Sequence, residues 1–406
     1  MASPPASRRS DLRGAARLAT DATTGLADLV EAMHARIARP PGRGPAAAAA
    51  GRTRGITGLV YKNVRGVARL VGGSIDALLH LLGPALSPER DPPTRPNAKR
   101  EALVAALNGV LGDYLAATDN PLATPLALRS EGHPLRLESA ALARRLPDAG
   151  GRLLVLAHGL CMGDLQWRRQ GHDHGAALAR DLGYTPVYLQ YNSGRHVSLN
   201  GRAFARELEQ LIGQWPRSLE RLAILGHSMG GLVARSALHC ARLEGHRWPA
   251  RLDDLVFLGT PHHGSPLERA GHWADVVLEA TPYAAPFARL GKVRSAGITD
   301  LRHGNLVDED WVGRDRFALR GGDRQHLPLP DGVRCFAIAA SLAAKSSAAR
   351  RLGDGLVPLA SALGRNRDPA RALHFAKDRQ WIGYDMGHLD LLSRPEVYAR
   401  LREWLA

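Results

Sequence analysis

A serine flanked by glycines lies between two apolar runs of the chain. Residues 222–225 have the length and composition of a strand, Gly-His-Ser-Met-Gly occupies 226–230, and residues 231–235 continue with helix-forming side chains. The pattern G-x-S-x-G between a strand and a helix is typical of a nucleophile elbow, in which the serine hydroxyl attacks an acyl carbon. The two glycines carry no Cβ atom and so permit the sharp turn. We therefore predict Ser228 as a nucleophile.

A serine hydroxyl needs a general base, and the base needs a group that fixes its tautomer. Asp354 lies in Gly-Asp-Gly after one predicted strand, and His388 lies in Asp-Met-Gly-His-Leu-Asp near the end of the chain. The order Ser228, Asp354, His388 is that of hydrolases built on a parallel sheet. Asp385 and Asp390, close to His388 in sequence, remain alternative acids.

Developing negative charge on the substrate oxygen needs N–H donors. Met229 starts the helix after the serine, where its N–H has no intrahelical partner, and Leu160 follows His158-Gly159 at the end of an earlier strand. We predict these two N–H groups as the oxyanion hole. Other residues at strand ends are predicted to border the substrate pocket: His158, Gly159, His227, His262 and Arg195.

No metal site is expected. His172-Asp173-His174 lacks a third and fourth ligand at recognisable spacing, which favours a surface loop. Three widely separated cysteines indicate a reducing compartment without disulfides, and Cys161 is interpreted as a small buried filler.

Strand-like runs alternate with helical patterns along most of the chain. This alternation predicts an α/β fold with a mostly parallel, doubly wound sheet. Strands are predicted at 134–137, 152–157, 186–190, 222–225, 254–258, 333–339 and 372–375, and helices at 200–215 and 396–405. The alternation stops between 266 and 330, where apolar and aromatic residues predict a lid over the pocket; the alternative is a structural insertion that covers a sheet edge.

Residues 1–125 are predicted as a separate helical segment with Pro/Gly/Ala-rich linkers, before a catalytic domain at 126–406. Helical periodicity covers 26–37 and 56–82, and a third helix begins at an Asn97 cap and ends near residue 120. Lys62, Arg65 and Arg69 lie beside the apolar stripe of the second helix. We expect these helices to pack within the protein, with peripheral docking on a lipid or polymer surface as the alternative.

The formal charge of +15 raises the question of an acidic partner. The basic residues are scattered, aromatic residues are few, and no nucleic-acid-binding motif is present, so we expect no nucleic acid partner. Residues 1–14 lack the apolar stretch of a signal peptide, and no run reaches the ~20 apolar residues of a spanning helix. The sequence thus predicts a cytoplasmic protein.

Together these motifs resemble α/β-hydrolases of the lipase and esterase type, and most of all the bacterial PGAP1-like (GPI inositol-deacylase-like) group. The resemblance covers about 130–406 and rests also on Gly-Thr-Pro-His-His-Gly at 259–264. It implies a serine hydrolase that cleaves carboxylic esters, small-molecule or lipid, through Ser228, Asp354 and His388 without a cofactor. The alternatives are an acyltransferase or intracellular polyester depolymerase with the same triad, and a non-catalytic binding protein on a hydrolase scaffold.

Overall fold

The computed structural model describes most of the chain from residue 97 onward and only five of the first 96 residues. The described residues are 11, 14, 15, 17, 18, 97–265, 295–314, 324–347 and 353–406. The helices predicted at 26–37 and 56–82, and the aromatic-rich part of the predicted lid at 266–294, lie outside them.

The described residues contain one eight-stranded sheet with flanking helices. The strands are β1 Ala127–Ser130, β2 His133–Pro134, β3 Arg152–Ala157, β4 Tyr184–Gln190, β5 Arg221–His227, β6 Leu252–Leu258, β7 Arg334–Ser341 and β8 Gln380–Tyr384. The helices are α1 Ala98–Ala117, α2 Ser139–Arg145, α3 His174–Leu182, α4 Val197–Gly213, α5 Met229–Leu243, α6 Ala296–His303, α7 Leu359–Ala362 and α8 Pro395–Leu405. The strand order is β2-β1-β4-β3-β5-β6-β7-β8.

Strands β3 to β8 are parallel to one another, whereas β1 pairs antiparallel with both β2 and β4. The predicted mostly parallel α/β fold is therefore confirmed. The carboxyl ends of the parallel strands meet at one edge of the sheet, where open α/β sheets bind their ligands.

Alternate residues of β3 are buried on opposite faces of the sheet. Leu153 and Val155 belong to one apolar cluster together with residues of α4 and α5, and Leu154 and Leu156 belong to a second cluster with residues of α3 and α8. A strand covered on both faces is apolar throughout, which explains the continuous hydrophobic run in its sequence.

The last strand is not at 372–375, as the sequence predicts, but at β8, 380–384. Residues 372–375 belong to no strand, and two of them, Leu373 and Phe375, are buried in the main core. Their burial accounts for the misleading apolar signal. At the opposite edge, the strand predicted at 134–137 is only the two-residue β2, and the sequence analysis missed β1 beside it.

Helix α1 begins after the predicted cap, since Asn97 Oδ1 accepts hydrogen bonds from the N–H groups of Lys99 and Arg100, at 3.1 and 3.2 Å. The compact unit that contains the sheet comprises 1–2, 93–117 and 123–406, and thus includes this helix. Helix α1 buries two glycines, Gly109 and Gly112, as well as apolar side chains.

Residues 295–307 of the predicted lid lie largely in the core. Ile298 and Leu301 of α6, and Leu306 and Val307 after it, belong to the main apolar cluster. This stretch therefore contributes apolar side chains to the main core.

The second compact unit comprises 3–92 and 118–122. Its few described contacts include a hydrogen bond from Asn120 Nδ2 to the carbonyl oxygen of Gly14 at 3.0 Å. Among the described residues, no helix combines the length and hydropathy that a membrane crossing requires.

Two glycine-to-alanine changes should have opposite effects on stability. A Cβ at Gly230 would overlap the carbonyl oxygen of Ala157, which is backbone and cannot move aside. We expect Gly230→Ala to lower the free energy of unfolding by about 1–3 kcal/mol or more. At the exposed end of α4, a Cβ on Gly213 would meet nothing closer than 3.8 Å, so Gly213→Ala should be neutral or stabilise by up to about 1 kcal/mol. Urea unfolding of both variants checks this; equal effects would contradict it.

Candidate active site

Ser228 is the single residue between β5 and α5. Its backbone has φ 53° and ψ −121°, a region that residues other than glycine rarely adopt. Its N–H donates to the carbonyl oxygen of Leu258 at 2.8 Å, and its own carbonyl accepts from the N–H of Gly231 at 3.1 Å. A Cβ on Gly226 would lie 2.6 Å from Gly231. The glycines of the motif thus allow the strand and helix to meet at the serine.

His388 and Asp354 form a buried hydrogen-bonded pair. His388 Nδ1 lies 2.7 Å from Asp354 Oδ2, and both side chains are at most 5% exposed. Asp354 Oδ1 accepts from the N–H groups of Leu356 and Val357, at 3.0 and 2.7 Å. The carboxylate is therefore fixed by its own loop and holds Nδ1–H of the imidazole, which leaves Nε2 as the basic nitrogen.

The other candidate acids are engaged elsewhere. Asp390 Oδ2 accepts from the N–H of Gly387 at 2.8 Å, within its own short helical turn. Asp385 has a left-handed backbone, with φ 54°, and makes no side-chain bond to His388 among the described residues. The described geometry thus pairs His388 with Asp354.

The His388 imidazole lies at the carboxyl edge of the sheet, against the residue that precedes the serine. Its ring centroid is 4.7 Å from that of His227, the residue before Ser228, and His227 Nε2 donates to the His388 carbonyl at 3.3 Å. A Cβ on Gly259 would lie 3.1 Å from the His388 ring. The elbow residue His227 and the His388–Asp354 pair are therefore brought together from three distant parts of the sequence.

The predicted oxyanion donors lie on segments that touch at the serine. A Cβ on Gly159 would be 3.1 Å from Ser228 Cβ, and Leu160 is the next residue. Met229 is the first residue of α5, at the positive end of its dipole. This arrangement suits two N–H groups that converge on a substrate oxygen.

Three of the predicted pocket residues are buried behind the loops of the site. His158, His227 and His262 are each at most 1% exposed, so they present no surface to a substrate. His158 stacks on Tyr191 with ring centroids 4.2 Å apart, and His262 Nδ1 lies 3.4 Å from Arg235 Nη1. Gly159, by contrast, lies directly against the serine.

Arg195 is half-buried, and the described contacts give it no place at the serine. Its N–H donates to the carbonyl oxygen of Asn192 at 3.2 Å, within the loop after β4.

Residues 172–174 are not the surface loop that the sequence predicts. Asp173 caps α3 through a bond from the Ala176 N–H, and His174 is completely buried. His172 Nε2 and His174 Nδ1 lie 2.8 Å apart, and His174 Nε2 donates to the Leu391 carbonyl at 2.9 Å. The described residues contain no cluster of three potential metal ligands.

The three cysteines are free and buried. Burial raises the pKa of the Cys161 thiol to about 12, which suppresses the nucleophilic thiolate. This agrees with its interpretation as a filler.

Sequence reasoning missed the contacts that hold the Gly159 loop. Tyr191 bonds to His158, and Ser193 Oγ accepts from the Cys161 N–H at 3.1 Å. The polar loop at 191–196 was expected near the pocket, but its sequence assigned no role to either side chain. The position of this loop after a parallel strand was the available signal.

Residues 148–322 match the model of a family described as the PGAP1-like alpha/beta domain. The resemblance to PGAP1-like α/β-hydrolases is confirmed. No curated protein matches the chain.

Several solved structures are similar in fold. Lipase B of Aspergillus fumigatus is 12% identical, with 62% of this chain and 52% of the lipase aligned and a TM-score of 0.39; the chain thus spans about half of that lipase. The Pyrococcus furiosus esterase Pf2001 is 14% identical over 64% of this chain and 82% of its own, at TM-score 0.37. The lin2722 product of Listeria innocua is 13% identical over 63% and 93%, at 0.35. At these identities the likeness concerns the fold alone.

Acid should destabilise the folded chain through its buried histidines. Burial lowers the pKa of His158 from 6.5 to about 4, so between these values the unfolded chain binds the additional proton. The free energy of unfolding should therefore fall as pH drops below 6.5, by up to about 1.4 kcal/mol per pH unit for this residue. Urea unfolding between pH 7 and 5 measures the slope, which His158→Gln should make shallower. Identical slopes for parent and variant would contradict the assignment.

Proposed function

We propose that the chain is a serine hydrolase that cleaves carboxylic esters. The observation that carries the proposal is the 2.7 Å bond between His388 Nδ1 and Asp354 Oδ2 beside a serine in elbow conformation. A base with a fixed tautomer near a serine at a strand-to-helix turn is the arrangement that activates a hydroxyl for attack on an acyl carbon.

In this mechanism Ser228 Oγ attacks the ester carbonyl while His388 Nε2 takes the hydroxyl proton. The N–H groups of Leu160 and Met229 donate to the oxygen that gains negative charge. The tetrahedral intermediate collapses to an acyl-enzyme as His388 protonates the leaving alcohol. Water, deprotonated by His388, then releases the carboxylic acid and regenerates Ser228.

Asp354 orients His388 and stabilises the imidazolium that forms twice per turnover. No step requires a cofactor, in keeping with the predicted chemistry. The ordered His388–Asp354 pair argues against a scaffold used only for binding, because a binding protein has no need of a fixed imidazole tautomer.

The nucleophile assignment predicts the effect of Ser228→Ala. Without Oγ no acyl-enzyme forms, so we expect kcat for p-nitrophenyl esters to fall by at least about four orders of magnitude. The side chain makes no packing contribution comparable with a core residue, so the melting temperature should stay close to that of the parent. Assays with a series of p-nitrophenyl esters, from acetate to dodecanoate, measure kcat and the preferred acyl-chain length. Parental rates in the folded variant would refute the proposal.

Two matched aspartate changes test the acid. Asp354→Asn keeps an oxygen for the loop N–H groups but presents an amide to His388, which favours the wrong tautomer; we expect kcat to fall by about three to four orders of magnitude. Asp390→Asn keeps an acceptor for the Gly387 N–H and should leave kcat within a few-fold. The reverse outcome would transfer the role to Asp390.

A further inference from the structure

The loop that carries the predicted oxyanion donor is held at both of its ends. We name residues 158–161 the oxyanion loop. At one end, Tyr191 Oη donates to the carbonyl oxygen of His158 at 2.7 Å, and the two rings stack. At the other end, the Cys161 N–H donates to Ser193 Oγ at 3.1 Å. Gly159 and Leu160 therefore lie between two fixed points supplied by the loop after β4.

The second fixed point restrains a strained residue. Cys161 has φ 59°, in the left-handed region that favours glycine. Such a conformation persists only where the surroundings hold it, and it is common at functional sites. Ser193 is only 1% exposed, so no solvent water substitutes readily for its hydroxyl as the acceptor for this N–H.

Helix α1 covers the outside of the same junction. A Cβ on Gly109 would overlap Cys161 Sγ and lie 2.9 Å from Cys161 N and Cα. One turn later, the Gly112 carbonyl accepts from Asn192 Nδ2 at 2.8 Å. The helix therefore touches both the oxyanion loop and the loop that holds it.

Contacts from the N-terminus of α6 and its cap residue Ser295 hold this helix in turn. Ser295 Oγ donates to the Gly109 carbonyl at 2.7 Å, and the Ala296 N–H donates to Asp113 Oδ2 at 2.9 Å. Because glycine disfavours helix formation, Gly109 and Gly112 are best explained by the close approach that they permit.

We propose that Ser193 and Gly109 are positioning residues of the active site, which hold Cys161 so that the adjacent Leu160 N–H points to the substrate oxyanion. This inference rests on the proposed ester hydrolysis. It implies that α1, which lies outside the catalytic domain predicted from sequence, affects the rate of catalysis through Cys161 and not by contact with the reacting atoms.

The consequence is specific to the transition state. The oxyanion donor gains its full interaction only when the carbonyl oxygen becomes negative, so a displaced donor lowers kcat and leaves ester binding nearly unchanged. A merely structural role would lower the melting temperature or the fraction of active protein, but not the turnover of each active site.

The test compares Ser193→Ala with Ser236→Ala in the full chain. Ser236 is a matched control, a fully buried serine whose hydroxyl donates to the main-chain carbonyl of Leu306 at 2.7 Å. Active sites are counted from the p-nitrophenol burst, and kcat per site and KM are then measured with p-nitrophenyl butyrate. We expect Ser193→Ala to lower kcat about 10- to 100-fold with KM within twofold, and Ser236→Ala to change neither.

A tetrahedral analogue and a second variant complete the test. The inhibition constant of an alkyl trifluoromethyl ketone should rise in Ser193→Ala by the factor that kcat/KM falls. Gly109→Ala, which pushes on Cys161 from the helix, should show the same split between kcat and KM, and it decides the matter if Ser193→Ala does not fold. Parental kcat per site in the folded variants would overturn the positioning role alone. No burst or turnover in the parent would overturn the proposed function, and this inference with it.

Discussion

The backbone of Ser228 is the constraint on which the site depends. Its conformation costs on the order of 1–3 kcal/mol, and neighbouring strands must supply that energy. The bond from its N–H to Leu258 ties it to the end of β6, and Gly230 brings α5 against the carbonyl of Ala157 at the end of β3. The elbow therefore keeps its geometry only while three adjacent parallel strands remain in register.

The same sheet edge delivers the remaining groups. Loops after β7 and β8 bring Asp354 and His388 together, and the loop after β3 brings Gly159 against the serine. The loop after β4 fixes that third loop through Tyr191 and Ser193. Strands β3 to β7 are each paired on both sides, and β8 forms the edge of the sheet, so most of the site is carried by loops that follow rigid, doubly paired strands.

Much of this arrangement can be predicted from sequence, for identifiable physical reasons. Strand β3 coincides with its prediction because a doubly covered strand is apolar throughout, and the glycines around Ser228 are an unambiguous mark of an elbow. Leu373 and Phe375 misled the assignment of the last strand, because apolar residues buried in a loop and in a strand give the same signal. The role of Gly109 could not be predicted, because the residue it packs against, Cys161, is 52 positions away in sequence. A glycine inside a helix indicates a close contact but does not identify the partner.

The central claim is that Ser228 is the activated nucleophile of this site. Its most direct test is to treat the native chain with a fluorophosphonate and to locate the phosphonylated residue by peptide mass spectrometry. The account predicts one modified residue, Ser228, with no labelling after denaturation, because activation requires the folded His388–Asp354 pair. Modification of another residue in the native chain, or none at Ser228, would contradict it.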